Sequence, residues 1–465
     1  MASKKPLLGL LLLVFITCIA HSQQYNDEKD FTVQVNTRQN TVKITRYKGN
    51  LGTVKIPPTI QGKPVVEIAA NAFQNKKLDS VTIPDSVTAI GNLAFSSNNL
   101  STIIIPDNVT SIGNEAFFDN QLSGITIGKN VTSIGNRVFA KNELTSVTIP
   151  DKVNSIGGGV FADNPLTRLS VAPGNTVFSV KDFLLLSKDE KRLIVCWGGE
   201  KSVTSVTIPN SVTSIGARAF DGFKITSVTI PANVTTIGDN AFYFNQLTSV
   251  TIPNSVTSIG NNAFSNNQIS SLTLGSGVTS IGDNAFSGNR LTVVTIPNSV
   301  TVIGTGAFNG NQITSVTIPN NVKTIGDKAF SNNQLSGVNI SNSVTSIGAE
   351  AFRKNQLTSV TIPNSVTNIG NYAFAENKLT GLILPNSEAY IGDYAFWENR
   401  LTVIAIPESV ASVGNYAFDK NQINRVNIGS VHTEIFTNTF QGDFFAQRKG
   451  AGTYTFTNGK WSISR

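Results

Sequence analysis

The chain has 465 residues, only 14% of them charged, and a formal net charge of +7. Its basic residues are scattered among acidic ones with no Lys/Arg stripe, which argues against a nucleic acid partner. Two cysteines and two histidines leave little material for disulfides, metal clusters or proton shuttles.

Residues 1–22 read as a secretory signal peptide. Lys4 and Lys5 supply the positive start, and the apolar run from Leu7 to Ala20 is short for a membrane span. Ala20-His21-Ser22 suits cleavage before Gln23. The alternative is lipoprotein processing at Cys18, where Thr17 is a poor neighbour. No second long apolar segment follows, so membrane attachment is expected to be peripheral or lipid-anchored at most. Removing the signal leaves one cysteine, Cys196, and one histidine, His432, and lowers the net charge to about +5. An intrachain disulfide is then impossible.

Residues 23–65 read as a β-rich N-terminal cap, with Thr41-Val42-Lys43-Ile44-Thr45-Arg46-Tyr47 alternating at strand spacing. Two repeat blocks follow, at 66–165 and 204–442. Phenylalanines from Phe73 to Phe161, and again from Phe220 to Phe440, recur every 22 residues in fourteen of fifteen intervals. A fixed period in this range predicts a solenoid, in which each coil touches only its neighbours.

The unit is clearest at residues 247–268. Leu247, Val250 and Ile252 alternate with Ser249 and Thr251 as a strand. Pro253 ends that strand because it has no N–H to give. Asn254-Ser255 is turn chemistry. Val256 and Ile259 begin a second extended stretch, and Gly260 marks a bend or close approach. Residues 261–264 are predicted to form a tight helical turn that drives Phe264 into the core. Stacking aligns the Leu, Val, Ile and Phe columns into one core. A column of asparagines, from Asn98 to Asn164 and from Asn245 to Asn421, is expected to satisfy backbone groups of neighbouring coils.

The one irregular interval, 59 residues from Phe161 to Phe220, places an interruption at 166–203. Phe183-Leu184-Leu185-Leu186, Lys188-Asp189-Glu190-Lys191 and Leu193-Ile194-Val195 read as a hairpin that bends or decorates the array. Residues 443–465, with Ala451-Gly452-Thr453-Tyr454-Thr455 and Trp461, read as a closing β cap. Sixteen Phe-marked coils at a strand spacing of roughly 4.8 Å would span about 80 Å.

The L-x-x-V-x-I-P and V-x-x-I-G-x-x-A-F elements resemble the BspA-type leucine-rich repeat family of bacterial surface proteins, close to its treponemal branch. The opening and closing segments resemble those of treponemal members, and many members carry a similar hairpin. Where the family usually has Cys, this chain has the Asn column. The resemblance implies a mainly β, leucine-rich-repeat solenoid of 22-residue coils with short helical turns and β-rich caps at both ends. It also implies attachment to host matrix proteins, host cells or other bacteria.

Chemistry for catalysis is sparse. His432 lies in a degenerate last repeat where Phe436 replaces the usual Gly, and Cys196 beside Trp197 reads as a partly buried thiol. No phosphate cradle, nucleophile elbow or metalloprotease motif occurs, and carboxylates are dispersed. No catalytic, metal or cofactor site is expected. Two outward features suit a macromolecular partner. One is the hydroxyl array on the first strands, including Ser249, Thr251, Ser271, Thr273, Ser315 and Thr317; its plain reading is that Thr is a good exposed strand residue. The pattern also resembles the Thr rows of ice-binding solenoids, which a thermal-hysteresis assay would test. The other is Tyr372, Tyr394 and Tyr416, in successive coils, with Trp397 close by; stacking alone would also account for it. The expected protein is a monomeric, secreted or outer-surface bacterial adhesin that binds extracellular proteins or glycans. An envelope scaffold without a host ligand is the alternative.

Overall fold

The computed structural model describes residues 25–198, 204–429, 434–435, 451–458 and 460–464. The signal segment, His432, Phe436 and Phe440 lie outside them. Among the described residues there is no α-helix, only strands, turns and one 3-10 turn at Glu28–Asp30. No helix there is long and apolar enough to cross a membrane.

Each regular coil carries a first strand, such as Ser249–Thr251, and a second, such as Ser258–Ile259. The second strand builds the continuous sheet, although the first has the longer alternating pattern. Among the described residues the second strands join with the N-terminal cap strands into one eight-stranded sheet and with the strands at 178–196 into one fourteen-stranded sheet, whereas the first strands pair mostly in twos. The glycine after each second strand explains the asymmetry. A Cβ on Gly260 would lie 2.6 Å from the Asp239 backbone nitrogen, so only glycine allows this approach. The Gly260 N–H donates to Ile237 at 2.8 Å, holding the coils tight on this side.

The turn leading to each phenylalanine is not helical. Ala263 N–H donates to the Gly260 carbonyl and Ser265 N–H to that of Asn262, giving two overlapping β-turns. Asn262 and Asn266 are left-handed, with φ of +53° and +56°. A left-handed residue cannot continue a right-handed helix.

The phenylalanines stack in two columns. Phe73 to Phe161 and Phe220 to Phe418 lie 4.9–6.2 Å from their neighbours with nearly parallel rings. At the N-terminal end Tyr47 stacks on Phe73 at 5.4 Å and Phe31 packs on Tyr47, closing the column. Thr41–Tyr47 lies between antiparallel Phe31–Asn36 and parallel Lys63–Ile68, so the cap turns the sheet edge back on itself. At the other end Gly452–Thr457 pairs antiparallel with Arg425–Ile428, burying Tyr454 and Trp461.

The asparagine column staples one coil to the one before. Asn355 Oδ1 accepts from Leu335 N–H at 3.0 Å, while its Nδ2 donates to the carbonyls of Phe330 (2.9 Å) and Phe352 (3.1 Å). A second, exposed ladder was not anticipated from the sequence. Asp239 Oδ1 accepts from Asn261 N–H, and Asn261 Oδ1 from Asp283 N–H, at 2.7 and 2.8 Å.

The interruption is a two-faced wedge. Phe178–Lys181, Leu184–Ser187 and Arg192–Cys196 form an antiparallel meander whose last strand pairs parallel with Ser214–Ile215. Leu184, Leu186 and Leu193 join the core of the second block, whereas Leu185, Ile194 and Val195 join that of the first. Beside it, buried Asp221 accepts from Arg137 of the first block at 3.2 Å and from Arg218 at 2.7 Å. Cys196 is fully buried rather than partly so, and burial pushes its thiol up to about 12. Such a thiol is inert at neutral pH.

Candidate functional site

The aromatic column stands on the turn side of the coils. Tyr372 and Tyr394 stack at 4.6 Å with rings nearly coplanar in orientation, and Tyr394 and Tyr416 at 4.9 Å. Trp397 meets Tyr394 edge-on at 6.4 Å. Cations cover both aromatic types: the Arg353 guanidinium lies 5.2 Å from the Tyr372 ring centre, and Lys420 Nζ 4.2 Å from that of Trp397. Arg353 is held by Glu350 at 2.9 Å and donates from Nε to Glu376 at 2.7 Å. All four aromatic side chains are half-buried. The packing of neighbours around Tyr394, then the nearby phenols and the carboxylates of Asp393 and Asp419, raise its pKa. The phenol therefore stays a neutral donor at physiological pH.

The backbone under these tyrosines is the one the other coils also use at this place, including those with Leu93, Glu115, Arg137, Arg218, Lys328 and Glu350. Tyr372, Tyr394 and Tyr416 have φ of +59°, +58° and +55°, the left-handed conformation that bulky residues avoid. Asn240, Asn262 and Asn284 occupy the same place in earlier coils at similar φ, where Asn is tolerated. The left-handed backbone belongs to the coil rather than to the residue type, which the sequence pattern alone did not reveal. A tyrosine there costs about 1–2 kcal/mol in backbone strain, and each stacked pair returns about 0.5–1.5 kcal/mol. Tyr394→Asn is accordingly expected to change stability by no more than about 1 kcal/mol in either direction. Denaturant unfolding checks this; a loss of several kcal/mol would make the column a structural core element.

The hydroxyl array occupies the first-strand face. Ser249, Thr251, Ser271, Thr273, Ser315 and Thr317 are exposed. Neighbouring columns spend their hydroxyls on the preceding coil: Thr226 donates to the Thr204 carbonyl at 3.0 Å and Thr279 to that of Thr257 at 3.0 Å. The six outward side chains above make no such bond among the described residues. They and the tyrosines lie on different strands and turns of the coil, so the structure does not gather them into one site. Among the described residues no three His, Cys, Asp or Glu side chains cluster to hold a metal. Arg353 and Lys420 were missed at the sequence level; their spacing from Tyr372 and Trp397 was the available signal.

The profile of the BspA type Leucine rich repeat region, in six copies, matches residues 66–184, 196–314, 279–400 and 323–445. The chain belongs to this family. No curated protein sequence matches the chain significantly. Among solved structures, it is similar to a leucine rich cell surface protein from Faecalibacterium prausnitzii: identity is 26%, over 68% of this chain and 94% of that one, with a TM-score of 0.40. It is similar to the pneumococcal vaccine antigen PcpA at 22% identity, covering 72% of this chain and 90% of that one, with a TM-score of 0.45. A leucine rich repeat protein of T. pallidum is 22% identical over 52% of this chain and 89% of its own, with a TM-score of 0.24.

Proposed function

We propose that this BspA-type protein is displayed at or released from a bacterial surface and binds extracellular macromolecules as an adhesin. The observation that carries this reading is the stacked aromatic column flanked by cations. Three successive coils hold tyrosine where the other coils hold mostly polar or charged residues, and the rings are half-buried beside a tryptophan, arginine and lysine. Tyr, Trp and Arg are the residues that anchor protein interfaces. The apolar, positively started N-terminus supports export. The dispersed carboxylates and the inert thiol support binding rather than catalysis.

The test is a pull-down with purified protein against matrix proteins, host-cell extracts and bacterial surface extracts, followed by titration of whatever is captured. Saturable binding that also blocks adhesion of the producing cells is expected. Absence of saturable binding on every surface would overturn the proposal. Protection of the protein from protease added to intact cells would favour the envelope scaffold instead.

A further inference from the structure

The first-strand face carries no charge over a long stretch. Ten consecutive seven-residue strand segments, from 203–209 to 401–407, contain no Asp, Glu, Lys, Arg or His, in a chain with 65 acidic and basic residues. Halfway along, the paired pattern breaks. Ser249–Thr251 pairs with Ser271–Thr273 and Ser315–Thr317 with Gly337–Asn339, but residues 293–295 between them form no strand. A groove of about 640 Å³ opens there, lined by Val293, Thr295, Ser315, Thr317, Gly337 and Asn339 among others. A second hollow of about 360 Å³ continues it past Asn298 and Asn320.

Gly337 is the telling residue. It takes the place that Ser249, Ser271 and Ser315 hold in other coils. Unlike Gly260 it is not demanded by the backbone: it has no positive φ, and a Cβ there would meet nothing within 4 Å. What glycine supplies at 337 is space.

We infer that this groove binds an uncharged glycan, the hydroxyl lattice on either side extending the contact. The inference rests on the surface-binding reading above and names a partner class and a place for it. Hydroxyls and amides both donate and accept, as sugar hydroxyls do, so each can serve either sense of bond. With no charge on the face, polyanions and basic segments gain no attraction from it. Val293, 61% exposed at the rim, offers an apolar wall to the C–H side of a sugar ring. An extended peptide is the weaker fit. The strand N–H and C=O groups point along the array toward adjacent coils, so a peptide laid on this face cannot pair with them as an added strand. The groove's size lies within the roughly 300–1,000 Å³ usual for small-molecule and sugar-sized ligands.

The experiment titrates the whole protein with dextran, mannan and galactan, and with heparin and hyaluronate as charged controls. It is repeated with Gly337→Glu, which fills the groove where a side chain has room, and with Thr317→Val. Saturable binding to at least one neutral polymer is expected, little affected by salt and weakened about tenfold or more by Gly337→Glu with unaltered unfolding. Binding to the polyanions alone, equal binding by wild type and Gly337→Glu, or no glycan binding at all would overturn it. So would suppression of ice growth by the wild type without glycan binding, which would assign the lattice to water. If the protein captures matrix proteins through the tyrosine column yet binds no neutral glycan, this inference fails while the adhesin reading stands. If it captures nothing, both fail.

Discussion

Replacing Asn355 with alanine is expected to cost about 2–3 kcal/mol, the scale of one buried N–H left without a partner with two further hydrogen bonds lost. Asn355 is 3% exposed and ties four backbone groups from two coils. Alanine would orphan the Leu335 N–H and take one of two amide donors from each carbonyl, since Phe330 still accepts from Asn333 and Phe352 from Asn377. Each coil depends only on its neighbours, so the damage should be local and should split unfolding into two steps. Chemical denaturation reads the cost, and amide exchange at Leu335 reads its location. A loss under about 1 kcal/mol would show that the column is replaceable turn chemistry rather than the staple between coils. Asn355→Asp should be nearly as damaging, since a carboxylate keeps the acceptor but loses both donors.

Phe308→Ala is expected to cost about 3–5 kcal/mol, the usual range for emptying a buried aromatic site. Phe308 has no exposed surface and lies between Phe286 at 5.6 Å and Phe330 at 5.4 Å. Its coil cannot collapse on the cavity, because the glycine-side ladder and the Asn staples hold the spacing from both ends. Phe308→Leu should recover more than half of the loss by refilling the space. Thermal and denaturant unfolding of the two variants check this, and equal behaviour of Leu and Ala would contradict stacked-ring packing as the source of stability.

Much of this architecture is legible in the sequence because every column repeats one physical task. Phe264 is core for the same reason as Phe242, and Asn267 staples as Asn245 does. The hairpin at Leu184–Ser187 and Arg192–Cys196 was readable from the broken period and its apolar runs. The two asparagine gaps carry a subtler message: at Lys76 and Phe223 the staple is missing, and the next residues, Lys77 and Lys224, turn left-handed with φ of +56° and +58°. What could not be read depends on geometry between coils. The alternating Ser249/Thr251 stretch looked like the main ladder, yet the two-residue Ser258–Ile259 strand carries the continuous sheet, because the neighbouring glycine permits closer approach. The left-handed backbone under Tyr372, Tyr394 and Tyr416 was hidden because the other coils place residues as different as Asn, Leu, Glu, Arg and Lys in the same conformation. The groove at Gly337 arises from a lost pairing, which no residue pattern encodes by itself.

Framework columns hold this fold, and the outward groups are left to choose the partner. The most direct measurement is binding and unfolding, side by side, for the triple variant Tyr372→Asn, Tyr394→Asn, Tyr416→Asn against whichever extracellular partner the wild type captures. The expected result is unfolding that is unchanged or slightly raised, with affinity for a protein partner reduced about a hundredfold or more, the scale of a lost aromatic anchor. Full affinity in the variant, or loss of affinity only together with loss of folding, would contradict it.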